Sequence, residues 1–247
     1  QRVPIDGTDD LSALAATVNG MLDRLETAVT GQRELLDDVG HELRTPLTIV
    51  RGHLELMDAA DPEDVASSRA LVIDELDRMR RLVDDLLTLA KSEQRGFVVP
   101  TTIDVARLTD ETLAKATTLG ARHWVLEGLA DVEASLDAQR ISQAWLQLAA
   151  NAVRYSAEGS RIGMGSGVDG GDLRLWVRDE GVGIAAEEQG RVLERAERGR
   201  SGTGTGLGLA IVSSIAKAHG GRVLVDSAEG VGTRVTIVVP VKEEERP

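Results

Sequence analysis

The chain has no cysteine, one phenylalanine, one tyrosine and three tryptophans among its 247 residues. Without cysteine, disulfides, thiolate nucleophiles and cysteine-ligated zinc are excluded. With aromatics at 2%, a core must be assembled from Leu, Val, Ile and Ala, and a hydrophobic fraction of 42% suffices for one. Positive charge is scarce as well. The 28 Lys and Arg face 41 Asp and Glu, a formal net charge of −13. That balance argues against nucleic acid or an anionic lipid surface as a direct partner. No apolar run approaches the ~20 residues of a membrane-spanning helix, and no signal peptide is visible. Gln1 is not a natural start, so the chain is expected to continue a longer protein, with any membrane part in missing upstream segments. The four His have no metal-cluster spacing, so no structural zinc is expected.

What is present changes character near Gly96. Before it the pattern is helical. Leu36, Val39, Leu43, Leu47, Val50, Leu54 and Met57 are spaced by threes and fours and make one apolar seam. Asp61-Pro62 interrupts it, and Val72, Leu76, Met79, Val83, Leu86 and Ala90 make a second seam. One such hairpin has too little apolar cover. Two make a four-helix bundle, so a homodimer through the helical hairpin is predicted. Residues 5–30 also read as helical, through Leu11, Leu14, Val18, Met21 and Leu25.

After Gly96 the period drops to two. Leu173, Leu175 and Val177 alternate with Arg174, Trp176 and Arg178, as a strand with one buried face does. Val235, Ile237 and Val239 repeat the pattern, and so do Val223 and Val225. Helices are expected around 137–155 and 205–218. The fold class is α plus α/β: a dimeric helical hairpin followed by a two-layer α/β sandwich. The expected domains are 1–30, 31–95, 96–243 and a tail at 244–247.

Four segments carry chemistry. In DDVGHELRTPLTIV, His41 falls roughly opposite the seam, hence towards water, as a nucleophile must. Thr45 lies one turn on, on the same face. Glu42 can hold one ring nitrogen and leave the other's lone pair free. Pro46 removes a backbone donor and loosens the helix there. His53 lacks this context and receives no function. In LQLAANAVRYS, Ile141, Trp145, Leu148 and Ala152 form a packing stripe, and Gln147, Asn151 and Arg154 a polar one. The Asn151 oxygen suits Mg²⁺, Arg154 can neutralise phosphate, and Tyr155 offers a flat surface for a base. In VRDEGVGI, Asp179 follows a strand and can accept amino hydrogens of adenine, while Gly181 and Gly183 permit close backbone approach. In GTGTGLGLAIV, glycines lead into a helix whose free amides can cradle phosphates. The polar stretch between Glu180 and Gly204 reads as a nucleotide lid.

HELRTPL resembles the H-box of sensor histidine kinases across seven consecutive residues. The other three segments resemble that family's N-box and two glycine boxes, in the same order. The run IDGTDDLSALAATVNGMLDRLE resembles the second half of a HAMP linker. The resemblance implies an ATP-binding sandwich of the gyrase and MutL type beside a dimeric histidine-bearing bundle, acting on ATP with Mg²⁺. It implies His41 as phospho-acceptor, Glu42 as base, Asn151 on Mg²⁺ with Gln147 as a second contact, and Asp179 on adenine. Gly202, Gly204, Gly206, Leu207 and Gly208 would lie at the phosphates. It implies a response regulator receiver domain as partner, and Thr45 as a residue for dephosphorylating that regulator. The chain departs from the family at Gln147, where Asn is usual, and at Leu193 and Ala196, where the lid usually carries two Phe. Their loss would loosen the lid. The linker Ser92–Pro100 would let the ATP domain reach the histidine.

Overall fold

The structure, a computed structural model, describes residues 18–22, 40, 43–92, 94, 96–197 and 207–241, without the side chains of 191 and 193–197. The chain divides into two compact units, Gln1–Met79 and Arg80–Pro247.

In the first unit, residues 43–56 are helical (α1). A turn follows, and Pro62 opens the helix Pro62–Ser92 (α2). The expected break at Asp61-Pro62 is where one helix begins. Proline is tolerated at a first helical position because its missing N–H would be unpaired there anyway. Asp61 Oδ1 accepts from the Glu63 amide at 2.9 Å and so serves as the cap. Within the first unit α2 buries Ser68 and Glu75, seven residues apart. Both expected seams stay largely open in a single chain: Leu47 is 59% exposed, Leu54 54% and Leu76 51%. Among the described residues no helix is long and apolar enough to cross a membrane.

The second unit begins with the last turns of α2, where Leu82, Thr88 and Leu89 are buried. It continues through Thr101–Asp104 (β1), Val105–Ala116 (α3), His123–Gly128 (β2), Glu133–Leu136 (β3) and Ala138–Tyr155 (α4). Then come Arg161–Asp169 (β4), Asp172–Asp179 (β5), Ala186–Glu197 (α5), Leu207–Ala218 (α6), Arg222–Ala228 (β6) and Gly232–Pro240 (β7). β1 and β3 form a small antiparallel pair. The main sheet has the order β2-β4-β5-β7-β6. It is parallel only between β2 and β4, hence mixed. α3, α4 and α6 pack on it.

The alternation read from the sequence sets the core. Leu173, Leu175 and Ile237 are fully buried, and Leu175 pairs with Ile237 across β5 and β7. The stripe Ile141, Trp145, Leu148 and Ala152 is buried too. Burying one such large apolar side chain contributes about 1.5–3 kcal/mol. Trp176 differs from expectation. It lies on the face opposite Leu175 yet is only 9% exposed. Its ring spreads over Gly128 and Gly165, where a Cβ would come within 2.7 Å and 2.6 Å of it. Arg234 stacks on the ring at 4.5 Å.

The linker differs as well. Phe97 is buried beneath the Arg140 guanidinium, 4.4 Å from its ring centre. The Val99 amide donates to Asp137 Oδ2 at 3.0 Å. Apolar burial and a charge-assisted hydrogen bond thus fasten this stretch to the start of α4.

Candidate functional site

α4, β5 and α6 bring the described candidates together. Asp137 caps α4, its Oδ1 accepting from the Arg140 amide at 3.0 Å. With the apolar stripe buried, Gln147 and Asn151 are turned towards the start of α6. A Cβ on Gly208 would lie 3.3 Å from Gln147 Oε1 and 3.7 Å from Asn151 Oδ1. Leu207 is buried and anchors the first turn of α6. The amides of that turn have no helical acceptor and carry the positive end of the helix dipole. Arg154 is exposed and stacks at 5.5 Å on Tyr155, itself 49% exposed.

Asp179 ends β5 and is 9% exposed. Its Oδ1 accepts from the Gly181 amide at 2.9 Å and the Thr233 amide at 3.3 Å. Among the described residues, no other residue donates to Oδ2. Burial pushes this carboxyl above the usual aspartate range, and the backbone donors pull it partly back. The glycines beside it are demanded by contact. A Cβ on Gly181 would overlap the Tyr155 carbonyl oxygen. Gly183 has φ +69°, and a Cβ there would overlap the Ala228 carbonyl.

A second polar cluster involves Gln147. Its Nε2 donates to Asp85 Oδ1 on α2 at 2.9 Å, and one turn earlier Gln143 Nε2 donates to Thr88 Oγ1 at 3.2 Å. The Gln147 amide nitrogen is therefore committed to Asp85, leaving Oε1 towards Gly208. Burial first, and the neighbouring Asp84 charge second, push Asp85 up to about 6, against the pull of Arg81 and the Gln147 bond. A carboxyl raised in the folded state stabilises the fold at acid pH and loses that contribution as pH rises through its folded value. Asp85→Asn should raise the melting temperature by a few degrees at about pH 7.5 and by roughly half as much at about pH 5. Equal shifts at both pH values would disprove it.

The sequence reading missed the residues that hold the site. Thr233 supports Asp179. Ser227 Oγ accepts from the Ile184 amide at 2.8 Å and so fixes the first glycine box. Gln189 of α5 donates to the Ile184 and Ser227 carbonyls at 3.0 and 2.7 Å, tying the start of the expected lid down. Ser227, Thr233 and Gln189 lie in none of the boxes, so only tertiary contact reveals them. His41, Glu42, Gly202, Gly204 and Gly206 lie outside the described residues, as do the side chains of Leu193 and Ala196 and nearly all of the HAMP-like run. Thr45 is exposed on α1, and Pro46 beside it is buried.

Residues 136–243 match the family described as "Histidine kinase-, DNA gyrase B-, and HSP90-like ATPase", and residues 31–95 match "His Kinase A (phospho-acceptor) domain". The signal transduction histidine-protein kinase/phosphatase MprB of Mycolicibacterium smegmatis is 36% identical over 239 residues, covering 91% of this chain and 48% of the relative. The chain spans about half the length of the first curated relatives it matches. A solved structure of a mycobacterial sensor histidine kinase MprB is 30% identical with a TM-score of 0.50, over 58% of this chain and 98% of that one. That of the Acinetobacter baumannii histidine kinase AdeS is 26% identical with a TM-score of 0.65, over 82% and 98%. With the acceptor-type helices, the ATPase-type sandwich and these relatives in agreement, the chain belongs to the sensor histidine kinases of two-component systems.

Proposed function

We propose that the chain is an ATP-dependent protein-histidine kinase that phosphorylates its own His41 and passes the phosphoryl group to an aspartate of a response regulator. The observation that carries this reading is the pairing of the buried Asp179 carboxyl, whose Oδ1 is held by two backbone amides, with the helix start at Leu207–Gly208 faced by Asn151. The first fits the amino group of adenine, and the second fits phosphate oxygens. The family match of both parts of the chain supports it.

The chain's residues divide the work. Asp179 orients the base, Gly181 and Gly183 let it approach, and Tyr155 and Arg154 flank the opening. Gly202, Gly204, Gly206, Leu207 and Gly208 give backbone amides to the phosphates. Asn151 Oδ1, with Gln147 Oε1 as a second oxygen, is the donor set for Mg²⁺, which when bound neutralises phosphate charge. The lone pair of one His41 ring nitrogen attacks the γ-phosphorus, the bond to the β-phosphate oxygen breaks, and ADP leaves. Glu42 takes the proton from the other ring nitrogen. Transfer to the regulator's aspartate, with the proton returned from Glu42, restores the neutral imidazole. Little covalent help is required beyond in-line placement and charge neutralisation.

The open seams on α1 and α2 support a homodimer through residues 31–95, with 96–243 as the ATP-binding domain and 1–30 as the end of a HAMP-like linker. Within the whole protein this would be the cytoplasmic portion of a membrane-bound sensor. The test is incubation with γ-labelled ATP and Mg²⁺. The chain should acquire an acid-labile, alkali-stable label, and light scattering on the same sample should give twice the 26.4 kDa chain mass. Phosphate release without protein label would point instead to a plain ATPase, and nucleotide binding with neither to a signalling scaffold.

A further inference from the structure

The carboxyl end of α4 is held by a residue that belongs to none of the recognised boxes. Arg122 precedes β2, and its Nη2 donates to the Val153 carbonyl at 2.9 Å and the Ser156 carbonyl at 2.9 Å. Its Nε donates to Ser156 Oγ at 3.1 Å, and its Nη1 to the Ala121 carbonyl at 3.0 Å. A helix leaves its last carbonyls without intrahelical donors, and a guanidinium presents several donors in a fixed planar fork. The charge also complements the negative end of the helix dipole. Nearby backbone is in close contact: a Cβ on Gly120 would lie 2.8 Å from Val153 Cγ1.

Val153 and Ser156 bracket Tyr155, and Tyr155 is where α4 meets the glycine box. The Val182 amide donates to the Tyr155 carbonyl at 3.2 Å. A Cβ on Gly181 would overlap that same carbonyl oxygen and lie 2.8 Å from Asp179 Oδ1. The level of the last turn of α4 thus sets the spacing between Asn151 and Tyr155 on one side and Asp179 on the other.

We infer that Arg122 is a positioning residue for nucleotide binding: it caps α4 from outside the helix and holds the N-box helix in register with Asp179. This rests on the nucleotide reading above. Arg122 does not reach the ligand. It acts through the Tyr155 carbonyl and the Gly181–Val182 backbone. Lysine is no equivalent, because one ammonium cannot serve Val153, Ser156 and the Ser156 hydroxyl in a single plane.

The test compares affinities of the full chain for a non-hydrolysable ATP analogue with Mg²⁺, by calorimetry well below each variant's melting temperature. Arg122→Ala should weaken binding about tenfold, the effect of removing a residue that orients ligand-binding groups. Arg122→Lys should fall between it and the unaltered chain. Asp137→Ala removes the cap at the opposite end of the same helix and costs about 1 kcal/mol of stability. It should lower the melting temperature but keep the affinity within about twofold. If Arg122→Ala and Arg122→Lys bind as the unaltered chain does, or Asp137→Ala loses as much affinity as Arg122→Ala, Arg122 is only a stabilising cap and the inference fails. If the unaltered chain binds no Mg-nucleotide, the proposed function fails and takes this inference with it.

Discussion

Asp179→Asn is expected to weaken binding of an ATP analogue about 100-fold with the fold intact, since an unmatched hydrogen bond to a charged group costs about 1.5–3 kcal/mol. The substitution is nearly isosteric. An Asn oxygen can accept from the Gly181 and Thr233 amides as Asp179 Oδ1 does. That orientation puts the Asn NH₂ in the place of Oδ2, where it meets the amino hydrogens of adenine donor to donor. Turning the amide over satisfies adenine but leaves two backbone amides without an acceptor. Either way one partnership is lost. Removing a buried charge from a site where burial raises its titration should leave the melting temperature unchanged or slightly higher. The same shift gives a pH dependence in the unaltered chain. Only the ionised carboxylate accepts through both oxygens, so affinity should fall on acidification, and from a higher pH than an ordinary aspartate would impose. Calorimetry across a pH series checks both. Binding within about threefold of the unaltered chain would remove Asp179 from the adenine site.

How much of this could be read before folding differs by element. α4 was legible because its apolar positions recur with the helical period and its polar stripe is separate, so Asn151 could be assigned a side of the helix. β5 was legible because one face is apolar and the other is not. β4 was not, because Gly163, Gly165 and Gly167 depress any strand signal. Two of its glycines are explained only by contacts on other elements: Trp176 over Gly165, and the Glu127 carboxylate against Gly163. The role of Trp176 was hidden for the same reason, since it owes its burial to what its neighbours lack. Arg122, Ser227 and Thr233 work through backbone groups far away in sequence, and no local pattern marks such residues. The seam on α2 was half legible. Its apolar positions are where the sequence puts them, but within the second unit the buried ones are Leu82 and Leu89, with the expected Val83 left 43% exposed.

His41→Gln is expected to abolish the acid-labile label entirely, the largest effect of any substitution here, while nucleotide affinity stays within about twofold because none of the groups proposed to hold the nucleotide is altered. Glutamine has a similar reach and polarity but no nitrogen lone pair free for attack, since its amide nitrogen is delocalised into the carbonyl. A label that survives would have to sit elsewhere, and His53 on α1 is the first position to examine. Thr45→Ala separates two activities at the same place. On a helical wheel the four-residue spacing of His41 and Thr45 corresponds to about 40°, one face. Pro46, the residue after Thr45, has no backbone N–H to donate. Attack on the γ-phosphorus requires the imidazole and a base, and a threonine hydroxyl contributes to neither. Hydrolysis of a phosphoaspartate on a docked regulator requires a positioned water, which Thr45, an exposed residue of α1, can help to hold. Thr45→Ala should therefore keep the protein label near that of the unaltered chain and slow regulator dephosphorylation at least about tenfold. Unchanged dephosphorylation with normal labelling would show that Thr45 takes no part in it.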